Sequence, residues 1–123
     1  MIEHHDALIA VKTYLSCLVS SDHHAIVSLY AKDAWIEDPV GSDILRGRDA
    51  ITTFYKQAVQ MVDGAELTGD IRVAGDEVAF PFEVTTASGS GTMSIQIIDV
   101  FHFNGEGKVD SMRAFWGQSN IKL

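Results

Sequence analysis

Residues 95–117 read IQIIDVFHFNGEGKVDSMRAFWG, two alternating runs joined by a glycine-rich turn. Alternate side chains of a β-strand share a face. One face of the first run therefore carries Ile95, Ile97, Asp99, Phe101 and Phe103, and the other carries Gln96, Ile98, Val100 and His102. The segment predicts an antiparallel hairpin whose most apolar face contains an acid.

Asp99 has two interpretations on the residues alone. An unpaired charge removed from water is costly, and buried acids are rare unless they are paired. One interpretation is a strand-end acid that reaches solvent or pairs with Arg113 or Arg72. The other is a functional acid in an apolar site, and the sequence pattern alone favours the first.

Apolar residues at helical spacing predict three helices before the strands. The first covers about residues 4–20 and follows a stripe of Ala7, Val11, Tyr14 and Leu18. The second is short, begins at a cap on Ser21 or Asp22, and carries Ile26, Val27, Leu29 and Tyr30. The third carries Ile51, Phe54, Tyr55, Ala58 and Val62.

The strands follow a different period. AWIEDP (34–39) predicts a brief strand that ends at Pro39. The turn signals AGDE, SGSG and NGEG then separate four alternating runs, near residues 66–74, 77–86, 92–103 and 108–117. This pattern is typical of an antiparallel meander. Helices followed by a meander predict an α+β domain over residues 1–123, with the helices packed on one side of a curved sheet.

The predicted faces collect apolar groups and two acids. Inward positions of the later strands include Val78, Phe80, Phe82, Val84, Met112, Ala114 and Trp116. Asp38 shares a face with Ile36 in the first strand, although Asp–Pro also often begins a turn. Pro81 predicts an irregular point in its strand. The sequence thus supplies an apolar pocket with Asp38 and Asp99 as its acids.

Composition excludes several classes of partner. A net charge of −8 disfavours nucleic acid and anionic membranes, which need a basic surface. No run approaches the roughly 18 apolar residues of a membrane span. Cys17 is the only cysteine, so no internal disulfide can form and a cytoplasmic location is expected. The pairs His4/His5 and His23/His24 diverge on their helices, so no metal site is predicted.

Several segments together resemble the bacterial Δ5-3-ketosteroid isomerases. They are WIEDPVGS (35–42), RGRDAITTFY (46–55), IIDVFHFNGEGKVDSMRAFWG (97–117) and Tyr14 on the first helix. The resemblance covers nearly the whole chain. It implies the cone-shaped (nuclear-transport-factor-2-like) α+β fold, with three N-terminal helices on a strongly curved, mainly antiparallel sheet. It also implies a homodimer and cofactor-independent conversion of 3-oxo-Δ5-steroids to conjugated 3-oxo-Δ4-steroids.

The resemblance also implies roles for individual residues. Asp38 matches the family's general base, which moves a proton from C4 to C6, and Tyr14 and Asp99 match the donors to the steroid O3. This family is the established case of a carboxylic acid that an apolar site keeps neutral. Tyr30 and Tyr55 match the hydrogen-bonded partners that support the first tyrosine. The positions that match the family's steroid-binding residues are Phe54, Phe80, Phe82, Phe101, Met112 and Trp116.

Two other functional classes stay open at this stage. One is a different small-molecule enzyme on the same fold, such as a cyclase, dehydratase or epoxide hydrolase, which needs a His–Asp pair or an Asp–Arg–Asp set in the pocket. His102, the one histidine on a predicted strand, faces away from Asp99. The other is a non-catalytic ligand-binding or transport module. Ile98, Val100 and Phe115 on the outer face predict cover by a second subunit, by the first helix or by the C-terminal tail.

Overall fold

The computed structural model describes residues 1–88 and 91–123. Its helices are α1 (His4–Val19), α2 (His23–Ser28) and α3 (Arg48–Ala58), as the spacing predicts. Asp22 caps α2, because its side chain accepts a hydrogen bond of 3.1 Å from the Ala25 amide. Two boundaries differ from expectation: Tyr30 opens a strand instead of ending α2, and α3 ends before Val62.

The helices pack on one face of an open, eight-stranded mixed sheet in the described part of the chain. The strands are β1 (Tyr30–Glu37), β2 (Leu45–Arg46), β3 (Gly64–Leu67), β4 (Arg72–Ala74), β5 (Glu77–Ser88), β6 (Gly91–Phe103), β7 (Val109–Phe115) and β8 (Ile121–Lys122). The order is β2-β1-β7-β6-β5-β3, with β4 also paired to β5 and β8 to β6. This arrangement confirms the predicted α+β class.

Three features of the sheet correct the predicted meander. β1 is longer than the predicted brief strand and pairs in parallel with β7. The single run expected at 66–74 is two strands, β3 and β4, which pair with different parts of β5. The two pairings are separated at Pro81, which has no N–H to donate. The Pro81 carbonyl accepts a hydrogen bond of 3.0 Å from the Thr68 amide. Of the predicted SGSG turn, residues 89 and 90 lie outside the described residues.

The alternation along β5, β6 and β7 sets which side chains enter the core. The predicted inward residues Val78, Phe80, Phe101 and Met112 are all fully buried. The outward residues Ile98 and Phe115 are exposed. The antiparallel register places Asp99 beside Phe80 of β5 and Ala114 of β7. The predicted face of β6 is therefore correct, and it carries its acid into the interior. No helix within residues 1–88 or 91–123 has the length and apolar character needed to cross a bilayer.

Candidate active site

A cavity of about 310 Å³ lies between helices α1 and α3 and the inner face of the sheet. This volume is at the lower end of the roughly 300–1,000 Å³ found for small-molecule sites. The sequence-predicted residues that line it are Tyr14, Asp38, Phe54, Tyr55, Phe82, Asp99 and Trp116. The fold thus brings both predicted acids and the predicted tyrosine of α1 to one apolar cavity.

Asp99 lies at the centre of β6 and is only 1% exposed. Its Oδ1 atom has no hydrogen-bond partner among the described residues. Neither arginine reaches it: Arg113 pairs with Glu37 at 3.0 Å on the opposite face of the sheet, and Arg72 donates to the Asp70 carbonyl. The interpretation of Asp99 as a solvent-seeking or arginine-paired acid is therefore wrong.

The surroundings of Asp99 favour its neutral form. Burial raises the pKa of the carboxyl well above its usual range, because the charged form loses its hydration. The negative charge of Asp38 raises this pKa further, while the Tyr14 hydroxyl lowers it by hydrogen bonding. A protonated carboxyl can donate a hydrogen bond, which an ionised carboxylate cannot do. The arrangement therefore provides a donor inside an apolar cavity.

Asp38 follows the last residue of β1 and is held from the neighbouring parallel strand β7, by the residue that follows it. The Trp116 indole Nε1–H donates a hydrogen bond of 2.8 Å to its Oδ1. Asp38 is half-buried. Burial raises the pKa of Asp38, and the hydrogen bond from Trp116 opposes that rise. Asp38 thus keeps a partner that favours its charged form, whereas Asp99 has lost nearly all contact with water.

Three tyrosine hydroxyls form a chain that runs from the cavity wall, which Tyr14 and Tyr55 line, to Tyr30 in the core. The Tyr14 and Tyr55 oxygens are 3.1 Å apart, and the Tyr55 and Tyr30 oxygens are 2.5 Å apart. All three rings are nearly fully buried, and burial raises the pKa of each hydroxyl well above its usual value. Each hydroxyl therefore keeps its proton and can act as a donor.

The predicted steroid-binding residues fall into two groups. Phe54, Phe82 and Trp116 line the cavity. Phe80, Phe101 and Met112 are completely buried and do not line it, so they act on the site through packing. Phe101 and Phe80 meet the Tyr14 ring edge to face, with ring centres 5.1 and 6.1 Å away. Direct contact of any of these residues with a steroid stays a prediction.

The prediction missed several lining residues, including Gln57, Met61, Thr86, Ile95 and Ile97. Ile95 and Ile97 lie on the face that alternation had already assigned to the interior, so the period of two contained the signal. Met61 follows the end of α3, where helical spacing gives no guidance. His102 lies outside the cavity, where its Nδ1 contacts Asp110 at 2.6 Å.

A model of the SnoaL-like domain matches residues 11–112. The chain belongs to the SnoaL-like family. Among curated proteins, a steroid Delta-isomerase from Nocardioides simplex is 42% identical over 112 residues, which cover 91% of this chain and 90% of that protein. The solved structure of SalBIII, an epoxide hydrolase/cyclase-like enzyme with a role in pyran ring formation in the polyether salinomycin, superposes with a TM-score of 0.89. That match is 30% identical and covers 100% of this chain and 99% of that chain. The SnoaL-like match and this likeness confirm the predicted cone-shaped α+β fold.

Asp99→Asn should change the pH dependence of stability. An aspartate in the unfolded chain has a pKa of about 3.9, whereas folding raises the pKa of Asp99. The folded wild type therefore binds more protons, and this residue lowers its stability as pH rises from about 4 towards the folded pKa. Asparagine does not titrate. The melting temperature of Asp99→Asn minus that of the wild type should increase between pH 4 and pH 7 by at least a few degrees, since about 1 kcal/mol corresponds to ~4 °C.

Asp33→Asn, at an exposed aspartate of β1, is the matched control. Its melting temperature relative to the wild type should stay nearly constant over the same pH range. A constant difference for Asp99→Asn as well would contradict the assignment of a buried neutral acid.

Proposed function

We propose that this protein is a steroid Δ-isomerase that converts 3-oxo-Δ5-steroids to conjugated 3-oxo-Δ4-steroids. The observation that carries the proposal is that a buried Asp99, whose Oδ1 has no hydrogen-bond partner among the described residues, shares one apolar cavity with a second acid, Asp38. Two carboxyls in unequal environments are a common basis for acid–base chemistry. The relative named steroid Delta-isomerase, at 42% identity, supports the same reaction class.

Asp38 is the general base of the proposed reaction. Its carboxylate takes a proton from C4, the C4–H electron pair forms a new double bond to C3, and the C3 carbonyl electrons move onto O3 as a dienolate. The carboxylic acid then returns the same proton to C6, and the carbonyl re-forms in conjugation with the shifted double bond. The substrate keeps all its atoms and electrons, and Asp38 carries the proton from one carbon to the other. The side chains of the cavity therefore suffice for the proposed reaction.

Tyr14 and protonated Asp99 are the donors to O3. Charge develops on that oxygen as the proton leaves C4, and donors already aimed at it in a water-poor site stabilise the transition state. Removal of one such donor in other enzymes costs about 10²–10³-fold in rate. An ionised Asp99 would repel the dienolate instead, so its apolar surroundings are part of the mechanism.

The tyrosine chain strengthens the Tyr14 donor. If Tyr30 donates to Tyr55 and Tyr55 donates to Tyr14, the Tyr14 proton is not used within the chain and can be donated to the substrate. Hydrogen bonds in series polarise one another, which makes the terminal donor stronger. The contacts of 2.5 and 3.1 Å between the three hydroxyls support this role.

The cavity favours an isomerase over the other enzymes of this fold. A cyclase or epoxide hydrolase with a His–Asp pair or an Asp–Arg–Asp set needs a histidine or arginine in the pocket. The described residues that line the cavity include neither. A non-catalytic binding module has no need for two acids and a tyrosine chain in a single cavity, which favours turnover over simple binding.

We infer that a second copy of this chain covers the outer face of the sheet. Ile98 and Phe115 are 47% and 42% exposed there, and neither α1 nor the C-terminal segment covers them. The wild type should therefore be a dimer by light scattering at micromolar concentration, and Ile98→Glu should shift it towards the monomer because a charge would enter the interface. A monomeric wild type would contradict this inference.

The isomerase proposal predicts that the wild type converts a 3-oxo-Δ5-steroid, seen as rising ultraviolet absorbance of the conjugated enone. Asp38→Asn should abolish most of the activity, because the amide is not a base, while steroid binding survives. Asp99→Ala should lower kcat by about 10²-fold. Asp99→Asn should keep more activity than Asp99→Ala, because its amide group can still donate.

Glu83→Gln, on the outer face of β5, is the matched control for the loss of a carboxylate and should retain wild-type turnover. No conversion by the wild type at micromolar concentration would exclude the proposed reaction. Undiminished turnover by Asp38→Asn would exclude Asp38 as the base.

A further inference from the structure

An ion pair lies on the outer face of the sheet, directly behind the candidate base. Glu37 of β1 and Arg113 of β7 are register partners in the parallel pairing of these strands. The Arg113 Nε–H donates a hydrogen bond of 3.0 Å to Glu37 Oε1, and the guanidinium lies over the Phe115 ring, 5.3 Å from its centre. The Glu37 side chain is 15% exposed, whereas that of Arg113 is 45% exposed, so the carboxylate is the enclosed member of the pair.

The second carboxylate oxygen of Glu37 holds the loop that follows β1. The Gly41 amide donates a hydrogen bond of 3.0 Å to Glu37 Oε2. Together with the bond from Arg113, it lowers the pKa of Glu37 and keeps the carboxylate charged. The Val40 amide also donates to the Ala114 carbonyl at 2.8 Å. The loop of residues 38–41 is therefore tied to its own strand and to β7.

Asp38 is the first residue of this loop, between Glu37 and the Gly41 that Glu37 binds. On the inner side, its carboxylate accepts from Trp116, which follows the last residue of β7. β7 and the residue after it thus contribute contacts on both faces of the sheet, Arg113 on the outer face and Trp116 on the inner face. A change in the path of the loop would move the carboxylate relative to the substrate.

We propose that Glu37 and Arg113 are positioning residues that fix the Asp38 carboxylate against the reacting carbons from the opposite face of the sheet. The proposal rests on the proposed isomerase function. One carboxylate must reach two carbons, C4 and C6, so its position matters twice in each turnover. A displacement of about 1 Å in a reacting group can cost about 10²-fold in rate.

The alternative is an ion pair without effect on the reaction, as is common for exposed pairs. Four variants distinguish the two: Glu37→Ala, Glu37→Gln, Arg113→Met and the matched control Glu83→Ala, which removes another outer-face glutamate. Glu37→Ala should lower kcat about 10–100-fold, with KM and the inhibition constant of the product steroid within about twofold of wild type. Glu37→Gln and Arg113→Met should lose less, because each keeps part of the network.

A test in a second background shows whether Glu37 acts through the base. In an Asp38→Ala protein, the further change Glu37→Ala should leave the residual rate unchanged, since there is no base left to position. Equal losses in both backgrounds would overturn the proposal. A wild-type kcat in Glu37→Ala would also overturn it, as would a kcat loss matched by weaker product binding. Each variant is assayed at least 15 °C below its melting temperature, so that a lower rate cannot be due to unfolded protein. If Glu37→Ala does not fold, Glu37→Gln replaces it in both backgrounds.

A readout independent of turnover separates this proposal from the isomerase assignment. The indole N–H resonance of Trp116 reports its hydrogen bond to Asp38, and Trp35→Phe assigns it, because the chain has only two tryptophans. Glu37→Ala should shift this resonance in the direction seen for Asp38→Ala, whereas Glu83→Ala should not. If the wild type converts no steroid, the isomerase proposal fails, and the resonance alone decides whether the pair positions Asp38. An unshifted resonance would overturn the positioning role.

Discussion

The burial of one carboxyl, that of Asp99, is the constraint on which the rest of the structure depends. A one-residue slip in register would turn Asp99 to the outer face and bring its neighbours out of the core. The ladder therefore has to hold β6 firmly between Phe80 of β5 and Ala114 of β7. The fully buried Phe101, two residues further along the same face, anchors that register by packing. The packing that fixes the register thus also gives Asp99 the buried surroundings that raise its pKa.

The two acids influence each other through the cavity. The charge of Asp38 raises the pKa of Asp99, so an ionised base helps to keep the second acid protonated. Trp116 offsets part of the cost of burying Asp38. The same sheet therefore supplies different surroundings to two identical side chains. In the proposed reaction, this difference suits Asp38 to the role of base and Asp99 to that of donor.

Much of this arrangement was predictable from local pattern. The period of two along 95–103 places Asp99 inward, and the same period along 108–117 places Arg113 on the opposite face from Met112, Ala114 and Trp116. An Asp99–Arg113 pair could therefore have been rejected from the sequence. The parallel pairing of β1 with β7 was not predictable in this way, because it joins segments about 75 residues apart. The Trp116–Asp38 and Arg113–Glu37 contacts depend on that pairing. The division between β3 and β4 was not predictable either. It depends on the edge of β5 at which Pro81 lacks an N–H, and the sequence does not say which strand pairs along that edge.

The most direct test of this account is the protonation state of Asp99 at pH 7. Infrared difference spectra of protein labelled with ¹³C in its aspartate carboxyls, wild type minus Asp99→Asn, isolate the signal of this one residue. A neutral Asp99 should give the carbonyl band of a protonated carboxylic acid, which persists at pH 7. A difference spectrum that contains only carboxylate bands at pH 7 would contradict it.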